Sequence, residues 1–170
     1  MKRFSFFAAA ALAGIASLNA QNPLSTEMKQ MYTGVKNNLV RMAEKMPEEH
    51  YAFQPTPEIR TFGQLVGHVA DSQARNCSAV NGQPKSVDGG SKKSKADLVS
   101  ALKESFSICD TAFDSLTDAT AAQMVKTARG ERSKLGSLAG TVSHSNEEYG
   151  YMAVYLRLKG IVPPSSDRSR

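Results

Sequence analysis

Met28, Met31, Tyr32, Val35, Leu39, Met42 and Met46 recur at alternating three- and four-residue steps. An α-helix turns by about 100° per residue, so this spacing gathers them on one side of one helix. A strand, whose side chains alternate between faces, cannot do so. The stripe is too apolar to face water and must be buried against other elements. Further along, the same period returns. Thr61 opens a second helix with Phe62, Leu65, Val66, Val69, Cys77 and Val80 inward, and Thr61 with Gln64 has capping-box spacing. Ser94 caps a third, whose stripe includes Leu98, Leu102, Cys109, Phe113 and Leu116. Ser133 caps a fourth, which runs to Lys159, where Gly160 and Pro163-Pro164 stop it.

The first helix is expected from Ser25 or Thr26 to about Glu44. Pro47 and Gln54-Pro55-Thr56-Pro57 interrupt the chain, and Asn81 to Lys95 reads as a polar loop. Thr117 to Arg132 suggests a turn or a short helix, and the tail from Ser165 to Arg170 is expected to fray. No internal repeat or alternating strand pattern stands out. Four amphipathic helices predict an all-α four-helix bundle. A chain of 170 residues with 41% hydrophobic and 22% charged residues supports one such domain, placed over residues 24–166.

The N-terminus has a different character. Lys2 and Arg3 precede an apolar run from Phe4 to Leu18, and Ala20 stands ahead of Gln21-Asn22-Pro23. This is the pattern of a secretory signal peptide over residues 1–20, cleaved after Ala20. The run is too short for a spanning helix, which needs roughly 20 apolar residues, although a retained anchor is the alternative. The expected location is periplasmic or secreted, with no membrane attachment after cleavage. Without Lys2 and Arg3 the formal charge falls from +5 to +3. That charge is too small and dispersed for nucleic-acid binding. In an exported protein Cys77 and Cys109 could form a disulfide. Bundle axes about 8–10 Å apart argue for two buried thiols instead, and both readings stay open.

Helix four carries two stripes. Leu135, Leu138, Val142, Tyr149 and Leu156 share one side, while His144, Glu148, Met152 and Tyr155 form another. Such a helix is central to a fold or lines a cavity. His144 and Glu148 are one turn apart and can point at one spot. Imidazole and carboxylate suit Zn, Ni, Fe or Mn, but a third ligand must come from another helix. His50, among Glu48, Glu49 and Tyr51, reads as a solvated loop residue. His68, at the edge of helix two's apolar arc, reads by itself as a hydrogen-bonded core-edge residue. Tyr151 and Tyr155 read as core aromatics with one polar end. Glu147 lies nearly 100° around the helix from Glu148, which argues against a base role there.

Two blocks carry a resemblance. Met46-Pro47-Glu48-Glu49-His50-Tyr51-Ala52-Phe53-Gln54-Pro55-Thr56-Pro57, followed by Thr61-Phe62-Gly63-Gln64-Leu65-Val66-Gly67-His68-Val69-Ala70-Asp71-Ser72, resembles the DinB-like superfamily. So does His144-Ser145-Asn146-Glu147-Glu148-Tyr149-Gly150 with Tyr155 to Ser166. The similarity spans about Leu24 to Ser166. It implies a four-helix bundle around a divalent metal held by three histidines, one on helix two and two in a His-x-x-x-His pair on a later helix. His68 matches the first and His144 the second. The third position falls on Glu148, a departure from the pattern. The implied activities are thiol-dependent transfer and metal-dependent hydrolysis, with a small molecule as partner. Two function classes stay open: a metal-dependent hydrolase or transferase, and a non-catalytic exported binding or stress-response protein with a degenerate site. A homodimer is compatible with either.

Overall fold

A computed structural model describes residues 22–168, and the signal peptide expected over residues 1–20 lies outside the described residues. Four helices carry the fold: α1 (Pro23–Lys45), α2 (Phe62–Val80), α3 (Lys95–Asp114) and α4 (Lys134–Leu158). Among the described residues no helix is long and apolar enough to cross a membrane. The helices pack in the cyclic order α1, α3, α2, α4. Ion pairs Lys29–Asp114 at 2.7 Å and Lys36–Asp110 at 2.6 Å run α1 against α3 antiparallel. Cys77 meets Cys109 and Gly63 lies against Leu98, so α2 and α3 are parallel. Gln73 meets Ser145, and the Tyr155 hydroxyl donates to the Arg60 carbonyl, so α2 and α4 are antiparallel. The long α2–α3 connection follows from this topology, because the chain must travel back along α2 before α3 can start.

That connection is tied down midway. The Asp71 carboxylate accepts hydrogen bonds from the N–H groups of Gly89 at 2.7 Å and Gly90 at 2.9 Å. The approach is so close that a Cβ on Gly67 would stand 2.6 Å from the Gly89 carbonyl oxygen. Between the helices most of the stripes read from the sequence interdigitate, with Leu39, Met42, Phe62, Val66, Leu102, Leu138 and Leu156 essentially inaccessible to water. Phe106, outside the expected α3 stripe, is buried with them, whereas Met31, expected in the α1 stripe, is 57% exposed. Tyr32 stacks on Phe113 at 3.9 Å between centroids and donates its hydroxyl to Asp110 and to the Phe106 carbonyl.

The expected capping residues act as expected. Thr61 and Gln64 form a reciprocal capping box, and the Ser94 and Ser133 hydroxyls accept from Asp97 and Gly136. Gly160, at φ +71°, ends α4 in the left-handed conformation that glycine favours.

Elsewhere the structure departs from expectation. α1 begins at Pro23, ahead of Ser25, because Pro suits the first helical position and the cap comes from far away. The Asp118 carboxylate accepts from the N–H groups of Leu24 and Ser25 and from the Ser25 hydroxyl, while Asn22 Oδ1 accepts from the Asp118 N–H. Part of the segment expected to hold a turn or short helix is instead an antiparallel hairpin, β1 (Met124–Thr127) with β2 (Gly130–Ser133). Its alternation is confined to Val125 and Thr127, half-buried between exposed neighbours. The tail does not fray at its start. Ser165 pairs with the Tyr149 hydroxyl, Arg157 donates to Ser166, and Asp167 meets Lys45 at 2.8 Å.

Cys77 and Cys109 are joined by a disulfide, with Cα atoms 4.9 Å apart. The typical axis spacing that argued against the bond does not hold locally, because the seam carries small buried residues, Ala74, Ser78, Ser105 and Ala112. Small side chains let two backbones approach.

Candidate metal centre

α2 and α4 are held in register by a buried polar clamp. Gln73 Nε2 donates to Ser145 Oγ, which in turn donates to the Thr141 carbonyl at 2.8 Å. Ser145 follows His144 directly, so the clamp sets the height of His144 relative to α2. His68 lies five residues before Gln73 and, on the antiparallel helix, comes level with His144 and Glu148.

The structure therefore brings His68, His144 and Glu148 together, with one ligand atom from each lying within 4.8 Å of the others. His68 Nε2 is 3.4 Å from Glu148 Oε1, and His144 Nε2 is 3.9 Å from the same oxygen. The two imidazoles stand edge to face, 5.2 Å between centroids. Both histidine side chains are 28% exposed, whereas Glu148 is only 6% exposed at its side chain. Glu148 thus turns into the bundle and not toward solvent. Its Oε2 is buried with no hydrogen-bond partner.

The electrostatics follow from that burial. Loss of water pushes the Glu148 carboxyl above its ordinary range, against the pull of His144 and Arg60. Burial also lowers the proton affinity of His68, and the positive charges of Arg60, His144 and Arg75 add to this, with Asp71 opposing. Both effects favour the neutral form of His68, whose lone pair can bind a metal. The donor set fits a divalent cation: two imidazole nitrogens and one buried carboxylate, whose Oε2 has no hydrogen-bond partner.

Other residues singled out from the sequence fall around this centre. His50 lies on a single 3₁₀ turn, Glu48–His50, and is not part of the cluster. Glu147 is exposed, 3.8 Å from His144 Nδ1, and accepts from the Tyr151 hydroxyl at 2.9 Å. Tyr151 was expected in the core but is 51% exposed, because it lies on the solvent side of α4 next to Glu147. Tyr155 is buried, and burial together with the Glu148 charge raises its phenol above the ordinary value.

Three cavities touch the centre. One of them, of about 620 Å³, reaches His68 from the side of Arg60, Asp71, Lys92 and Lys93. The other two flank the cluster. One, of about 350 Å³, is lined by His68, His144, Ser72, Arg75, Arg129 and Arg132 among others. The second, of about 790 Å³, is more apolar and includes Glu148, Ile59, Leu65, Tyr151, Val154 and Tyr155. Sequence reasoning missed the arginines and the Gln73–Ser145 clamp. Ser72 and Arg75 do share a helical face with His68, at four and seven residues, but Arg129 and Arg132 arrive on a hairpin that carries almost no sequence signal.

Residues 31–152 match the sequence profile of the DinB superfamily. No curated protein matches the chain. Among solved structures, a DinB-like protein from Bacillus cereus is similar with a TM-score of 0.69 and 17% identity, over 82% of this chain and 95% of that one. A DinB-like protein from Bacillus subtilis gives 0.66 and 17%, over 84% and 99%. A conserved protein from Enterococcus faecalis gives 0.63 and 13%, over 79% and 95%. At these identities the likeness establishes the fold.

Proposed function

The chain belongs to the DinB superfamily, and from that premise we propose that His68, His144 and Glu148 hold a divalent metal ion for hydrolysis of, or group transfer to, a small molecule. The observation that carries this reading is the buried Glu148 Oε2 without a partner, beside two half-exposed imidazoles. Burying a carboxylate against two imidazoles is costly, and a cation bound between Glu148 Oε1 and the two imidazole nitrogens would offset that cost. A metal there would supply Lewis acidity toward a carbonyl or phosphoryl oxygen. The protein's own part is to orient the ligand set through the Gln73–Ser145 clamp, and to present cavities on both flanks. The apolar cavity beside Tyr151 and Val154 suits the organic part of a substrate.

The same reading includes export. A disulfide on the α2–α3 seam is at home in an oxidising compartment, which supports cleavage after Ala20 and a periplasmic or secreted location. Intact-mass analysis of protein from its host is expected to find an N-terminus at Gln21.

Metal analysis of untagged protein tests the central claim. About one equivalent of Zn, Ni, Fe or Mn is expected, lost in both His68→Ala and Glu148→Ala. Retention of metal in Glu148→Ala would place the third ligand elsewhere. Failure of the native protein to take up any of these metals at neutral pH would replace this reading with that of a non-catalytic binding protein.

A further inference from the structure

The cavity beside the histidines has a chemistry that metal binding does not use. Ser72 and Arg75 rise from the same face of α2 as His68, and Ser137 and Gly140 lie on the same face of α4 as His144. Ser137 and Gly140 are small, so α4 does not fill the space between the two helices there. The hairpin closes over it. In the β1–β2 ladder, Val125 pairs with Arg132 and Lys126 pairs with Glu131. Directly paired residues share one face of a sheet. Val125 and Thr127 face the half-buried side, where β1 packs on α2, so Arg132 is carried to that side. Glu131, the hairpin's acidic residue, is carried to the outer side with Lys126. The Arg132 guanidinium reaches α4, with Nη1 3.9 Å from the position a Cβ would take on Gly140, one turn before His144.

Arg75, Arg129 and Arg132 thus line one cavity of about 350 Å³ together with both histidines. Among the described residues no aspartate or glutamate lines it. Among the described residues, none of these three guanidiniums lies within ion-pair distance of a carboxylate. Elsewhere on the surface the cations Lys29, Lys36, Lys45 and Lys103 do have carboxylate partners. Unpaired guanidiniums converging on one hollow repel one another. An anion removes that repulsion, and the planar fork of each Arg matches two oxygens of a phosphoryl or carboxylate group.

We propose that the ligand of this protein carries a compact anionic group that seats on Arg75, Arg129 and Arg132, so that the neighbouring bond lies toward His68 and His144. The inference deepens the metal-dependent reading and rests on it for the reaction, but anion binding itself needs only the arginines. The shared chemistry is that of a phosphoryl or carboxylate group, and the two are separable by experiment.

Isothermal titration of inorganic phosphate and of acetate is carried out on chelator-treated and on zinc-loaded protein. Phosphate or acetate is expected to bind the chelator-treated protein saturably, in about the millimolar range for an open, solvent-screened site. Tighter phosphate binding assigns a phosphoryl group, and tighter acetate binding a carboxylate. Arg75→Gln and Arg132→Gln are each expected to weaken binding roughly three- to tenfold, as loss of one partly screened charge-assisted contact should. Zinc content should stay unchanged in both variants. Lys92→Gln and Lys93→Gln, which remove charge from a neighbouring cavity, should leave anion affinity as it was. His68→Ala should lose zinc yet still bind the anion, which separates failure of the metal reading from failure of this one. The inference is overturned if neither anion saturates, if binding requires zinc, if the arginine variants bind like the native protein, or if the lysine variants weaken binding equally.

Discussion

Glu148→Gln should stabilise the metal-free protein and abolish its stabilisation by zinc. In the native chain the carboxylate is buried, 4% exposed as a residue, with Oε2 unpartnered. An unsatisfied buried polar group costs about 1–3 kcal/mol, and a charged one more. Attraction to Arg60 and His144 offsets part of this. The amide keeps the shape and removes the charge, so a net gain of roughly 1 kcal/mol is expected, or about 2–4 °C in Tm for a domain of this size. The sign of the pH dependence follows from the raised carboxyl. The folded state holds its proton to higher pH than the unfolded chain, so the native protein loses stability as pH rises above the ordinary value of 4.5. The advantage of the variant should therefore vanish in acid, where both forms are neutral, and grow as the buried carboxyl ionises with rising pH. Zinc acts the other way. At free zinc one hundred times its Kd, linkage adds about 2.7 kcal/mol to the native protein, roughly 5–10 °C, and nothing to a variant that does not bind. Calorimetry with chelator and with zinc reads both effects. A metal-free variant that melts below the native protein, or one that keeps the zinc shift, would refute the reasoning.

Reducing the disulfide, or replacing it in Cys77→Ala/Cys109→Ala, opens a loop with a sequence separation of 32. The chain-entropy relation puts the loss at about 3.7 kcal/mol, measured by urea unfolding with and without reductant. Thiol titration of the denatured, unreduced protein should find none. Gly67→Ala places a Cβ 2.6 Å from the Gly89 carbonyl, a backbone atom that cannot move aside cheaply. A loss of about 1–3 kcal/mol is expected, with faster amide exchange at Gly89 and Gly90 as the loop lifts from Asp71. Unchanged stability there would mean that the loop shifts freely.

What was legible in the sequence depends on how far apart the interacting residues are. The stripes of α1 and α2, the Thr61–Gln64 box, the Ser94 and Ser133 caps and the Gly160 stop are all local, and each reads directly from spacing. The α1 cap did not read, because its acceptor, Asp118, is 93 residues from Ser25. The hairpin did not read either. In Met124–Ser133 only Val125, Thr127 and Ser133 are even half-buried, and the charged residues among them erase the alternation a half-buried strand normally shows. The disulfide turned on small residues packed across a seam, which no single helix reveals. At the candidate site, the i, i+4 relation alone paired His144 with Glu148. His68 joined them only through family resemblance, since its own helix marks it as an ordinary core-edge residue.

The proposed role of Glu148, at the position where the family resemblance implies a third histidine, and the arginine-lined cavity make sense together. A dication held by three neutral imidazoles would keep its full charge beside Arg60, Arg75, Arg129 and Arg132, and at short range like charges in a partly buried site are costly. Arg60 and Arg75 already disfavour positive charge on His68. A carboxylate in the ligand set offsets one of the two charges where the cation would sit. The cavity can then keep enough positive potential to draw an anionic ligand without also expelling the ion. Glu148 is buried and its side chain leans on both histidines, so this compensation acts where dielectric screening is weakest. Departure from the three-histidine pattern is thus not, by itself, a sign of a lost site. In a bundle whose hairpin delivers two arginines beside the proposed centre, a carboxylate is the ligand that electrostatics would favour at the third position.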